Sequence, residues 1–190
     1  MKPKQLWMLV GGNGAGKSTF FRLTLQPLGM PFINADQIAR EVFPDDPEGH
    51  SYQAAKIAES MRLQQLQGGN SFCFETVFSH PSKIDFIARA KALGYQIILV
   101  FIHVESVSLN KARVSQRVEE GGHAVPEDKI EGRVPRTLAN VKAALPLCDQ
   151  VRVLDNSSLE RPFVPVLTIK QGSVMKHCDM LPLWAERLVI

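Results

Sequence analysis

An unbroken apolar run, Leu6-Trp7-Met8-Leu9-Val10, leads straight into Gly11-Gly12-Asn13-Gly14-Ala15-Gly16-Lys17-Ser18. A run apolar on both faces reads as a strand buried in a parallel sheet with helices over it. The octapeptide matches GxxxxGK(S/T) in the place where that motif has a mechanism, after a buried strand and before a helix. Its glycines let successive backbone N–H groups curl around a phosphate, and the helix that follows turns its positive end toward the same anion. Lys17 is then expected to reach the β- and γ-phosphates and Ser18 to hold a magnesium ion. The expected nucleotide contacts are Gly12, Asn13, Gly14, Ala15, Gly16, Lys17, Ser18 and Thr19, with ATP and Mg2+ as cofactors.

The rest of the chain keeps alternating strand and helix signals. Helical patterns run over 17–28, 36–42, 51–67, 81–93, about 106–119 and 126–145; apolar strands run over 32–35, 71–74, 95–104 and 149–154. Such alternation predicts an α/β fold with right-handed crossovers and a doubly wound parallel sheet. The tail departs from it. Phe163 to Lys170 and Ser173 to Cys178 flank Gln171-Gly172 as a β-hairpin, before a short helix over 182–188. The expected organisation is a P-loop kinase-like unit over 1–160, with a lid at about 105–140, and a C-terminal hairpin and helix over 161–190 in the same domain.

Composition narrows the partners. With 190 residues, 22 Lys+Arg against 19 Asp+Glu and 45% hydrophobic residues, the chain has an ordinary globular balance and a net charge of only +3. No basic run argues for a nucleic-acid or membrane-surface protein. Cys73, Cys148 and Cys178 are odd in number and lack ligand spacing, so neither disulfides nor zinc are expected. The apolar stretch after Met1-Lys2-Pro3-Lys4 is too short for a secretory signal, and no stretch is long enough for a membrane helix. A reducing cytoplasm is the expected location.

Nucleotide binding leaves open what becomes of the γ-phosphate, and three groups bear on it. Asp36 follows the second strand at the sheet edge where ligands bind in open α/β sheets. A carboxylate there suits proton abstraction from an attacking hydroxyl, and it also suits the cap of the following helix. Glu75 and Thr76 end the third strand, where an acid serves as a second magnesium candidate or as a grip on a substrate hydroxyl. Arg113 and Arg117, four residues apart on one helix, face Arg133 and Arg136 on the next across Gly121-Gly122; the four would form a lid over a charged transferring group. His123 is a candidate phosphate or substrate contact in the break between these helices.

The stretches Gly11 to Thr19, Phe32-Ile33-Asn34-Ala35-Asp36, Phe74-Glu75-Thr76, Ser79-His80-Pro81, Gly94-Tyr95, Arg117 to Pro126 and Arg133 to Asn140 together resemble the zeta-toxin family of P-loop kinases, over about residues 5–158. The resemblance implies an adenylate-kinase-like fold and transfer of the ATP γ-phosphate to the 3′-hydroxyl of UDP-N-acetylglucosamine. Members of that family also act on other nucleotides, NAD among them. It implies Asp36 as base, Glu75 and Thr76 as substrate-side contacts, and arginines of the 113–136 segment, including Arg117, Arg133 and Arg136, as transition-state clamps alongside Lys17. Toxin members are restrained by a small helical antitoxin, so an antitoxin-like protein is an expected partner beside the small-molecule substrate.

Two other functions fit parts of this pattern. A plain ATP hydrolase would share the P-loop, although the chain lacks a strand of the form hhhhD and an LSGGQ-like signature. A nucleotide-gated binding protein would use the C-terminal hairpin as its docking surface.

Overall fold

The computed structural model describes residues 3–106, 109, 112–115 and 127–189, with the side chains of 127–131 left aside. Arg117, His123 and the Gly121-Gly122 break of the expected lid lie outside the described residues.

Strand β1 (Gln5–Val10) runs down the middle of a seven-stranded sheet. The order is β2-β3-β1-β4-β5-β6-β7, with β2 (Phe32–Ile33), β3 (Phe72–Thr76), β4 (Gln96–His103) and β5 (Gln150–Asp155). These five strands are parallel, and the register pairs Val10 with both Thr76 and Phe101, and His103 with Asp155. The carboxyl ends of β1, β3, β4 and β5 therefore meet at one edge. The hairpin expected in the tail is present: β6 (Val164–Lys170) pairs antiparallel with β5, and β7 (Ser173–Lys176) with β6. The fold is that of a P-loop NTPase, mixed α/β with a mostly parallel sheet.

Alternation along the central strands divides the core. Leu6, Met8 and Val10 join Phe72, Phe74, Ile97, Leu99 and Phe101 on one face, beneath α3 (Ser51–Gln67), α4 (Ser82–Ala92), α5 (Glu127–Ala144) and α6 (Leu183–Val189). Trp7, Leu9, Cys73, Ile98, Val100 and Ile102 pack on the other face with Phe20, Phe21 and Leu25. That second layer begins as α1 (Lys17–Phe20) and continues through a π-turn at Phe21–Leu25 and a 3-10 turn at Gln26–Leu28. Strands apolar on both faces need both layers to exclude water.

One local expectation is corrected. Asp36 does not cap α2 (Ala35–Val42): the cap is Asn34, whose Oδ1 accepts from the N–H groups of Asp36 at 2.8 Å and Gln37 at 3.1 Å. Asn34 has the extended backbone of a cap residue and Asp36 already lies inside the helix. The Asp36 carboxylate is thereby released from the capping role.

At the end of β4, His103 is buried between Phe101 and Trp184, its ring centroid 4.2 Å from that of Trp184. Burial pushes its imidazole down to about 4, against the opposing pull of the Asp155 carboxylate. The unfolded chain, with an ordinary imidazole near 6.5, binds the proton that the folded chain refuses. Stability is therefore lost as pH falls from about 6.5 to about 4 and is unaffected by this group above that window. Over that window urea unfolding should show a loss of roughly 2–3 kcal/mol that is absent from His103→Gln, beyond the losses common to both proteins. Parallel pH profiles of the two proteins would refute it.

Candidate active site

The P-loop follows β1 and leans on its neighbours so closely that side chains are excluded. A Cβ on Gly11 would stand 2.2 Å from the Ile102 carbonyl oxygen. Gly16 has φ +94°, and a Cβ there would meet Asn156 Nδ2 at 2.6 Å. Lys17 is buried at 8% exposure; its Nζ donates to the carbonyls of Gly11 at 3.1 Å and Gly12 at 3.0 Å. Ser18 Oγ donates to Glu75 Oε2 at 2.6 Å, which joins the loop to the end of β3. A hydroxyl and a carboxylate so placed form an all-oxygen donor pair, suited to a hard cation. Among the described residues no cluster of three or more His, Cys, Asp or Glu side chains could hold a metal by itself.

A cleft of about 410 Å³ opens beside the loop, within the size range of small-molecule sites. Gly14, Gly16, Lys17, Ser18, Thr19 and Glu75 line its phosphate-binding end; Arg113, Asn156, Ser158, Leu159, Pro162 and Phe163 line the other. Apart from Arg113, that second wall comes from the segment between β5 and β6. Asn156 organises it while only 6% exposed: its Nδ2 donates to Ala15 O at 2.9 Å, its Oδ1 accepts from Phe163 N at 3.2 Å and its carbonyl accepts from Arg113 Nη1 at 2.8 Å. Its N–H donates to His103 O at 2.8 Å. Phe163 holds a left-handed backbone, φ 56°, and packs edge-on against Phe20 at 5.5 Å.

The other expected residues divide clearly. Arg133 Nη1 donates to Asn13 Oδ1 at 3.1 Å, which brings α5 onto the P-loop. Arg136 is exposed and its Nε returns to Gly132 O in its own helix. Arg113 reaches the cleft through Asn156. Asp36 is half-buried at the start of α2 and does not line the cleft, while Thr76 uses its hydroxyl to accept from Phe78 N at 3.0 Å.

Two α5 residues outside the expected set hold the chain just past Glu75 and Thr76. Thr137, 2% exposed, donates to Val77 O at 2.8 Å, and Asn140 Nδ2 donates to Phe78 O at 2.8 Å. Phe78 sits there with φ 62° and is almost fully buried. Both lie in the Arg133 to Asn140 stretch of the motif resemblance, which gave roles only to its arginines. Asn156 also lies outside the expected set, and its place just past the end of the last parallel strand is its local signal.

The contact between Gly16 and Asn156 gives a direct test. Gly16→Ala should abolish ATP binding in a calorimetric titration, because the methyl must displace Asn156 or the loop. Gly29→Ala, at φ +70° with open space around the new Cβ, should leave ATP affinity unchanged and lower stability by about 1–2 kcal/mol. Wild-type ATP affinity in Gly16→Ala would contradict the geometry.

Known proteins resemble this arrangement at two levels. The AAA domain family (AAA_33) matches residues 6–137, more than half of the chain. An uncharacterized protein of Haemophilus influenzae is 31% identical over 140 residues, 70% of this chain and 99% of that protein. Among solved structures, AvrRxo1-ORF1:-ORF2 with ATP superposes with a TM-score of 0.74 at 16% identity, over 92% of this chain and 61% of that one. The PezAT toxin–antitoxin system of Streptococcus pneumoniae gives 0.68 at 14% identity, over 100% and 83%. A putative kinase from Chloroflexus aurantiacus gives 0.57 at 17% identity, over 70% and 80%. The chain thus spans about three fifths of the AvrRxo1 chain that it matches. At these identities the likeness to solved structures is one of fold, that of kinase-like P-loop domains, and the family match carries the assignment: the chain belongs to the AAA domain family.

Proposed function

We propose that this protein is an ATP-dependent small-molecule kinase of the zeta-toxin type, which transfers the γ-phosphate to a hydroxyl of a nucleotide-sugar or a similar metabolite. The observation that carries this reading is the pairing of Ser18 with Glu75 at 2.6 Å beside a P-loop cleft, with the Asp36 carboxylate outside that cleft and free of the cap. That cleft then takes ATP, and a separate carboxylate is left for an acceptor. UDP-N-acetylglucosamine, through its 3′-hydroxyl, is the leading acceptor on the motif resemblance.

In this reading backbone N–H groups of Gly12 to Thr19 hold the phosphates. Lys17 exchanges its loop carbonyls for phosphate oxygens. Ser18 and Glu75 would hold Mg2+, which when bound neutralises charge on the β- and γ-phosphates. The nucleotide base occupies the end of the cleft built by Arg113, Asn156, Pro162 and Phe163. Asp36 accepts the proton of the acceptor hydroxyl as it attacks the γ-phosphorus in line with the departing ADP oxygen. Thr76 and Glu75 border the acceptor, and Arg133, already on Asn13, is the best placed of the described lid arginines to meet charge on the transferring group. Arg136 needs a change of rotamer to do so, and Arg117 and His123 keep the roles implied by their motif.

Residues 161–190 belong, in this proposal, to the same domain as 1–160, since β6 extends the sheet from β5 and Phe163 lines the cleft. Among the described residues no helix is long and apolar enough to cross a membrane, and a cytoplasmic location suits an enzyme fed by ATP. The PezAT neighbour comes from a toxin–antitoxin system, which supports a small regulatory protein as partner.

The test is incubation with Mg-ATP and a panel of UDP-N-acetylglucosamine, other nucleotide sugars, NAD and nucleosides, each acceptor weighed for an added phosphoryl group. One acceptor should gain the mass. Lys17→Ala should remove transfer, and Asp36→Asn should slow it by about 10²–10⁴-fold with ATP affinity unchanged. Undiminished transfer in Asp36→Asn would remove the base, and ATP turnover indifferent to every acceptor would replace the kinase with a hydrolase.

A further inference from the structure

Arg62 lies on the inner side of α3 at 7% exposure. Its Nε is one of two buried side-chain nitrogens among the described residues with no hydrogen-bond partner; the other is Trp184 Nε1. The guanidinium rests 5.2 Å from the centre of the Phe74 ring and 6.0 Å from that of Phe86. Neither ion pair among the described residues includes it. Burial pushes it below its ordinary range, and Glu59, one turn earlier on α3, opposes that push from outside ion-pair distance. Lys83, in the first turn of α4, is half-buried and is pushed down by the same desolvation and then by the charge of Arg62, with Glu59 again opposing.

Phe86, whose ring lies beside the Arg62 guanidinium, is three residues on from Lys83 in α4, and residues at that spacing share a helix face, so the two cations share a partly dehydrated space against one carboxylate. Aromatic faces return roughly 0.5–2 kcal/mol to a cation above them, less than the several kcal/mol that desolvation of an ion costs. A guanidinium also presents five N–H donors in a planar fork shaped for two oxygens of one anion. No hydrogen bond to another described residue uses that fork. The position completes the argument. Successive strand residues point to opposite faces, so Phe74 carries Arg62 on the α3–α4 side while Glu75 turns to Ser18 on the other. Arg62 thus stands one residue along β3 from Glu75, which lines the P-loop cleft, and neither cation lines that cleft itself.

We propose that Arg62 and Lys83 form a second anion subsite, which holds a phosphate or carboxylate group of the acceptor while the P-loop holds the nucleotide. As a statement about the acceptor it rests on the kinase reading above; as a binding site it does not. The subsite selects acceptors that carry an oxyanion over neutral alcohols.

The test uses the full chain saturated with a non-hydrolysable ATP analogue and Mg2+, so that the P-loop is filled. Inorganic phosphate and malonate are then titrated separately by calorimetry, to distinguish phosphate from carboxylate recognition. One saturable site is expected for at least one probe. Its affinity should fall at least tenfold in Arg62→Met, whose stem still covers Phe74 and Phe86, and in Lys83→Met, and less in Arg62→Lys. If Arg62→Met fails to fold, Lys83→Met decides alone. A purely structural role would lower the melting temperature of the variants and leave anion affinity unchanged; that result, or no second site in the wild type, overturns the proposal. Anion binding that both Met variants lose, with no acceptor phosphorylated by the wild type, would keep the subsite and sink the kinase reading.

Discussion

The site depends on one buried amide. Asn156 is held at four points, to Ala15, Phe163, Arg113 and the end of β4, and it lies so near the P-loop that the residue opposite must be glycine. Each of these hydrogen bonds contributes about 1 kcal/mol net. Their larger consequence is geometric, because a buried amide with fixed partners permits one arrangement of the four segments that it joins. The P-loop, the exit from β5 and the entry to the hairpin are thereby set together. This is how the connection into an antiparallel hairpin, remote from the phosphate-binding strand in the sheet order, supplies a wall of the nucleotide cleft.

What could be read from the sequence follows the range of the interactions. The P-loop was legible because strand, loop and helix are contiguous and every residue of the motif has a local task. The parallel sheet was legible for the same kind of reason: strands apolar on both faces declare their burial residue by residue. The hairpin was announced by two apolar runs around Gln171-Gly172. Asn156 and Ala15 are 141 residues apart, and nothing local to either predicts the contact. The cap of α2 failed at shorter range. Asn34 and Asp36 are both good capping residues, and the choice between them turned on where the chain left the extended conformation, just after Asn34, a boundary that propensity does not resolve.

The arginines of the expected lid show the same limit from another side. Four arginines at helical spacing identify a basic face, but each of the three described guanidinium groups is directed by its own surroundings. Arg133 finds Asn13, Arg113 finds the carbonyl of Asn156 and Arg136 turns back to Gly132. The spacing that placed the first pair and the second pair on their helices carried no information about these partners. Conversely Thr137 and Asn140, which look like ordinary polar positions of a helix, make the buried contacts that tie α5 to the end of β3.

Those contacts limit how α5 can move. Phe78 is held in a left-handed conformation that costs roughly 1–2 kcal/mol for a residue with a side chain, and its burial, 1% exposed, returns about 1.5–3 kcal/mol. The carbonyls of Val77 and Phe78 on this strained turn are satisfied by Thr137 and Asn140; withdrawing α5 as a rigid body would leave both without those partners. Pro135 lies between these anchors and Arg133, and it removes the N–H that would otherwise bond to the carbonyl of Glu131. The helix is thus weakest between the part fixed to the β3 end and the part that touches Asn13. Any movement that keeps the two buried hydrogen bonds must bend α5 on the amino-terminal side of Thr137. Arg133 lies on the free side of that bend, and the turn after Glu75 and Thr76 on the anchored side.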